Sequence, residues 1–179
     1  MNAWRVFLDE SAFSQRPPIR ATWAPRGKTP RVVEPFNWQK LSGIGAGLAK
    51  PDGRRPRWLL ALHHGSVRSA QVVRFRNALR QHRRRPVMLL WDGLPAHRSR
   101  ITPQALAGHR DWLRVEPLPA YAPELNPVEQ LWAHLDATTL ANTPAEDLER
   151  LGRRVRGAVR RVHRRSALGR VFLRPTGLF

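Results

Sequence analysis

Pro119-Ala120-Tyr121-Ala122-Pro123-Glu124-Leu125-Asn126-Pro127-Val128-Glu129-Gln130-Leu131-Trp132 carries the chain from a proline-bounded irregular stretch into a helix. Asn126 has an N-cap side chain, and Pro127 falls at the first helical position, where its missing N–H costs nothing. Glu129 falls at the third position, where a carboxylate meets the positive end of the helix. One acid is thereby fixed in space. The same grammar, Asn-x-x-Glu, is also an ordinary capping box, and Thr143-Pro144-Ala145-Glu146 repeats it with no chemistry attached. Val128, Leu131, Trp132 and Leu135 give the helix, expected from Pro127 to about Leu140, a single apolar face.

Two earlier acids follow apolar runs. Trp4-Arg5-Val6-Phe7-Leu8 stops at Asp9-Glu10-Ser11, which predicts a buried strand with an acid at its carboxyl end, although aspartate there also opens turns. Pro86-Val87-Met88-Leu89-Leu90-Trp91 is almost wholly apolar, the mark of a central strand buried on both faces, and ends at Asp92-Gly93. Between them, residues 14–31 are rich in Pro and Arg and predict an irregular surface excursion. Leu41–Ala49 and Arg57–Leu62 flank the turn signal Lys50-Pro51-Asp52-Gly53, an antiparallel hairpin continuing from the first strand. Gly43, Gly45 and Gly47 recur at every second residue, so one face of that strand lacks side chains and something must approach it closely. Ser69 can cap a helix to about His82, with Val72, Phe75 and Leu79 on its apolar stripe.

Further on, a helical stretch from about Pro103 to His109 leads into an alternating strand at Trp112–Glu116. The last expected element is a helix capped by Thr143, with Leu148, Leu151, Val155, Val159 and Val162 on one face and arginines on the others. The order β-β-β-α-β-α-β-α-α predicts one α/β domain over residues 1–179, a ribonuclease-H-like mixed five-stranded sheet with helices on both faces. In such a sheet the first and fourth strands lie side by side, so Asp9 and Asp92 would emerge together where ligands of α/β folds bind. Glu129 could complete a triangle. Three clustered carboxylates repel one another unless a cation neutralises them. The chain has no cysteine, so the ligands would be oxygen or imidazole, and Mg²⁺ or Mn²⁺ is the natural ion. Two such ions, about 3.5–4 Å apart, suit in-line phosphoryl transfer. Glu124 competes for the third place, but Glu129 is preferred because it lies on the regular helix and Glu124 in the Pro-bounded turn.

Net charge is +19, from 32 Lys+Arg against 13 Asp+Glu, and favours a polyanionic partner such as nucleic acid over an anionic membrane surface. Arginine dominates the basic residues, which partly reflects a GC-rich coding bias. Candidate DNA contacts are Arg26, Lys28, His97, Arg160, Arg161, Arg164 and Arg165; His97 is equally well read as a solvent-facing loop histidine. Trp23, Trp91 and Trp132 are expected to pack rather than to stack on bases. No apolar run is long enough to span a bilayer, and the expectation is a soluble, unexported protein.

Four segments, Phe7-Leu8-Asp9-Glu10, Trp23-Ala24-Pro25-Arg26-Gly27, Leu90-Trp91-Asp92-Gly93 with His97 five residues past the Asp, and Tyr121 through Trp132, together resemble the DDE transposases of the Tc/mariner superfamily. The resemblance is strongest to their bacterial insertion-sequence branch. It implies a ribonuclease-H-like catalytic domain whose acids, Asp9, Asp92 and Glu129, bind two Mg²⁺ (or Mn²⁺) for DNA end cleavage and strand transfer. It also implies transposon-end and target DNA as partners, a homodimer when active, and a place at the nucleoid in a bacterial cytoplasm. Family members carry helix-turn-helix modules ahead of the first acid, whereas only eight residues precede Asp9 here. Such a module is therefore expected from an upstream frame, by frameshift or as a separate chain. The interval from Asp92 to Glu129 is slightly longer than usual in the family, and Ala120 stands where a second proline is common. Two competing functions share part of this pattern. A DNA-binding or regulatory transposon remnant needs the arginines but not the acids, and another ribonuclease-H-like nuclease would lack the Tyr121–Trp132 motif.

Overall fold

The computed structural model describes residues 3–36, 38–82, 86–91, 112–119 and 122–179. Five strands, β1 (Trp4–Ser14), β2 (Lys40–Ala49), β3 (Arg57–His64), β4 (Val87–Trp91) and β5 (Leu113–Pro117), form one sheet in the order β3-β2-β1-β4-β5. The β1–β2 and β2–β3 pairs are antiparallel, and the β1–β4 and β4–β5 pairs are parallel. This is the mixed sheet of a ribonuclease-H-like chain, with the first and fourth strands adjacent. The helix between β3 and β4 is α1 (Ser69–His82), and α2 (Pro127–Leu135), α3 (Leu148–Arg164) and α4 (Ser166–Leu173) follow β5. The Lys50–Gly53 turn forms as expected, with Gly53 donating to the Lys50 carbonyl at 2.9 Å and adopting φ +67°.

Strand alternation sorts β1 between two cores. Trp4, Val6 and Leu8 face α1 together with Val72, Phe75 and Leu79, whereas Phe7 and Phe13 face α2 and α3 together with Leu131, Leu135, Leu151 and Val155. Asp9 falls on the second face. β1 does not stop at Asp9, as its apolar run suggested, because Asp9 through Ser14 go on pairing with Gly45 through Lys40. Among the described residues the parallel ladder to β4 runs as far as Leu8 opposite Trp91.

The bare glycine face of β2 is covered by aromatic rings. A Cβ at Gly43 would lie 2.7 Å from Phe13, one at Gly45 2.5 Å from Trp132, and one at Gly47 2.9 Å from Trp58. Each ring comes from a different element, so the three glycines let β1, α2 and β3 all press onto β2.

The C-terminal region departs from expectation at two points. Thr143 does not cap α3; its hydroxyl donates to the Ala141 carbonyl, while Asp147 is the N-cap and accepts from the Arg150 amide at 2.6 Å. Gln15 accounts for the shift. Its carbonyl takes the Ala145 amide and its side-chain amide donates to the carbonyls of Ala145 and Glu146, which holds this segment extended. The second departure is a break at Arg165, after which α4 seats Phe172 edge-on against Trp58 at 5.6 Å. The helix expected between Pro103 and His109 lies outside the described residues.

Asp147→Ala should lower stability by about 1 kcal/mol and Thr143→Ala by much less, measured by urea denaturation. Equal costs would return the capping role to Thr143.

Candidate active site

α2 is tied to β1 at two successive residues. The Asn126 side chain accepts from the Val128 amide at 3.1 Å and donates from Nδ2 to the Leu8 carbonyl at 3.1 Å, so one amide both caps the helix and anchors it to the strand. Two turns on, Trp132 Nε1 donates to Asp9 Oδ2 at 2.8 Å. Asp9 is 4 % exposed, and a carboxylate that deep requires donors. Trp132 can reach it only because Asp9 pairs across the ladder with Gly45, the residue whose missing side chain leaves room for the indole.

Glu129 is exposed and stands three residues after Asn126 and three before Trp132, hence on the helix flank that those two anchors turn toward β1. The capping box is filled without its carboxylate, because the Asn126 amide already donates to the Pro123 carbonyl at 3.0 Å. Glu124 is exposed in the short 3-10 turn Pro123–Leu125 that precedes α2. Asp92 and His97 lie outside the described residues, although the ladder pair Leu8–Trp91 comes one residue before Asp9 and Asp92 in both strands. Among the described residues no three His, Asp or Glu side chains form a metal cage on their own. Asp9 and Glu129 are hard oxygen donors of the kind Mg²⁺ and Mn²⁺ take.

The other candidates fall on the surface. Arg26 and Lys28 are exposed on a turn in the 15–39 excursion, closed by the Lys28 amide to the Pro25 carbonyl at 3.0 Å. Arg160, Arg161, Arg164 and Arg165 are exposed at the C-terminal end of α3. Trp91 and Trp132 are buried, whereas Trp23 is 99 % exposed and packs on nothing, contrary to expectation. Its neighbours in sequence are mostly Pro, Arg and Gly, which supply no apolar wall. Sequence reasoning saw Asn126 as a cap and Trp132 as core, and missed that both reach β1. The only hint was the glycine repeat. Away from these acids, burial, then Arg74, lowers His63, and burial raises Asp136 against the pull of Arg20.

The profile of a protein family described as DDE superfamily endonuclease matches residues 5–152. The chain belongs to that family. The match takes in β1, β4, α2 and the start of α3, and so every acid singled out above. This DDE-family chain is 30 % identical over 158 residues to the insertion element IS630 uncharacterized 39 kDa protein of Shigella sonnei, covering 84 % of this chain and 43 % of that protein. Among solved structures it is similar to the mariner Mos1 paired-end complex with Mg, with TM-score 0.67, 18 % identity, and coverage of 97 % of this chain and 52 % of that one. It is also similar to the Mos1 transposase paired-end complex with left transposon end, with TM-score 0.62, 19 % identity, and coverage of 97 % and 51 %. The fold is thus the ribonuclease-H-like one, and the chain spans about half the length of the relatives it matches. Among the described residues no helix is long and apolar enough to cross a membrane.

Gly45→Ala should cost about 1–3 kcal/mol by overpacking against Trp132. Gly157→Ala, in the middle of α3 where a Cβ would meet only Arg161 Nη1 at an ordinary contact distance of 3.6 Å, should gain up to about 1 kcal/mol. Denaturant midpoints check both, and wild-type stability in the Gly45 variant would unseat Trp132 from β2.

Proposed function

We propose that this chain is the catalytic domain of a transposase, which cuts DNA at transposon ends and joins them to a target with the help of divalent metal. The observation that carries this is the double anchoring of α2 to Leu8 and Asp9, which turns Glu129 toward the strand end where Asp92 follows Trp91. In this proposal Asp9, Asp92 and Glu129 hold two Mg²⁺ or Mn²⁺ ions. When bound, such ions activate an attacking oxygen and stabilise a leaving one. The protein's own contribution is positional. Trp132 holds the Asp9 carboxylate in one orientation, and Asn126 sets the depth at which α2 meets the sheet. These are rigid elements, which suits a reaction that depends on alignment.

Arg26, Lys28, His97 and the arginines ending α3 would meet the DNA backbone, contacts that position a duplex without reading its bases. Support comes from the net charge of +19 and from the family match. End recognition would fall to a helix-turn-helix module outside these 179 residues, on the same polypeptide or a second one, and two copies would act together on paired ends. The site would then work on DNA in a bacterial cytoplasm, at the nucleoid.

Nicking of supercoiled plasmid in Mn²⁺ tests the acids. Asp9→Asn, Asp92→Asn and Glu129→Gln should each fall to the level seen with EDTA, while Glu124→Gln keeps activity. If the Glu124 variant is the inactive one, the third ligand changes place; if all four nick like wild type, the chain is not this enzyme. A second assay addresses specificity. The 179-residue chain should bind terminal-repeat and scrambled duplexes with less than a hundredfold difference, about 2.7 kcal/mol, and fusion to a helix-turn-helix module should widen the gap.

A further inference from the structure

A cleft of about 240 Å³ opens between the end of α2 and the junction of α3 with α4, lined by His134, Thr138, Thr139, Arg161, Arg165 and Leu168, among others. Thr138 and Thr139 belong to a π-helical turn, Asp136–Leu140, that continues α2. Arg161 and Arg165 are four residues apart and so share one flank of α3, while Arg160 and Arg164 project about 100° away from them. Arg161 Nη2 donates to Thr139 Oγ1 at 3.4 Å, and Thr138 Oγ1 donates to the His134 carbonyl at 2.7 Å. Thr138 Oγ1 and Thr139 Oγ1 lie 3.4 Å apart, and because the Thr138 proton is on the His134 carbonyl, Thr139 is the donor between them.

Charge is uneven along α3. At its start Arg150 pairs with Glu146 and Asp147, and Arg153 pairs with Glu149. No acid follows Glu149 in the sequence, and among the described residues neither Arg161 nor Arg165 has a carboxylate within salt-bridge distance. Asp136, which opens the π-helical turn after α2, is under the pull of Arg20. The His134 ring is held below the usual histidine range by burial and then by Arg161 and Arg165, and the Phe172 ring lies 5.5 Å from it. Two guanidiniums and an imidazole thus converge on an open space with no acid among the described residues to neutralise them. Oxyanions with several acceptor atoms suit such a donor set.

We propose that this cleft binds a phosphate group of the DNA backbone. Naming DNA as the source of the phosphate rests on the function proposed above; the oxyanion chemistry of the cleft does not. Around the α2 axis His134 stands about 140° from Glu129, on the opposite flank of the helix. A phosphate held here is therefore not the one being cut. It belongs to a stretch of DNA that has crossed α2, or to a second duplex, and the cleft acts on affinity rather than on the chemical step. Arg161 and Arg165 are positioning residues for the DNA in this arrangement.

The test uses the 179-residue chain in EDTA, so that metal chemistry plays no part, and follows the His134 ring by NMR at fixed pH, with His134→Gln assigning the signal. Inorganic phosphate and, separately, a short scrambled duplex should each shift the ring saturably. Arg161→Gln/Arg165→Gln should abolish both responses and reduce the slope of log K against log salt for the duplex by about 0.9, the share of one phosphate. Arg160→Gln/Arg164→Gln should leave the ring's response to inorganic phosphate intact; all four arginines are exposed, so both variants should fold. A ring unmoved by either ligand, or moved equally in the Arg161/Arg165 variant, overturns the site. A response to inorganic phosphate with none to the duplex overturns DNA as its occupant. Failure of the catalytic proposal has a different signature: wild-type chain that does not nick in Mn²⁺, whatever His134 does in EDTA.

Discussion

The hydrogen bond from Trp132 to Asp9 is the constraint on which the candidate site depends. A carboxylate buried among Phe7, Phe13 and the α2 side chains is costly unless donors meet it, and the indole N–H is one donor that the fold supplies. The bond in turn requires Gly45, because any side chain there would occupy the space of the ring. It also sets the rotation of α2, so that Val128, Leu131 and Leu135 go into the core while Glu129 does not. Asn126 fixes the other coordinate by holding the helix start against the Leu8 carbonyl. Two polar contacts thus define how one helix sits on one sheet, and the position of Glu129 follows from both.

These contacts also show why the Asp9 carboxylate tolerates burial at a sheet centre. β1 pairs with β2 from Arg5 to Ser14, and the last described pair of its parallel ladder to β4 is Leu8 with Trp91, so the site lies beside that pair. Strand ends of this kind expose backbone and side chains together, which is where α/β folds place ligands. Among the described residues, exposed positive charge gathers on the excursion after β1 and on the far end of α3. A domain built this way can hold DNA through general phosphate contacts while sequence readout is supplied by another module.

α3 illustrates how charge is distributed for that purpose. Its first turns carry acid–arginine pairs of the sort that support an exposed helix by a few tenths of a kcal/mol each. Its last turns carry arginines with no acids beside them in sequence, a repulsive arrangement that a bound polyanion would relieve. The break at Arg165 brings α4 back onto Trp58, and in doing so closes one wall of the phosphate cleft.

Much of this was legible in the residues. Apolar runs and turn signals marked all five strands, the Asn126-Pro127 start marked α2, and the glycine repeat required that bulky groups press on β2. These features are local, and local backbone preference and side-chain period suffice to decide them. The ends of β1 and α3 were not legible, because they depend on partners far away in sequence: β2 extends β1 past Asp9, and Gln15 holds 143–147 out of the helix. The exposure of Trp23 was likewise decided by what surrounds it rather than by its own chemistry. So were the joining of Asn126 and Trp132 to β1 and the convergence of His134, Thr139 and Arg161 from three segments. Sequence singled out Asp9 and the start of the helix that packs on it, and tertiary structure alone decided that the Trp132 indole meets its carboxylate, because a hydrogen bond between residues 9 and 132 leaves no periodic trace in either segment.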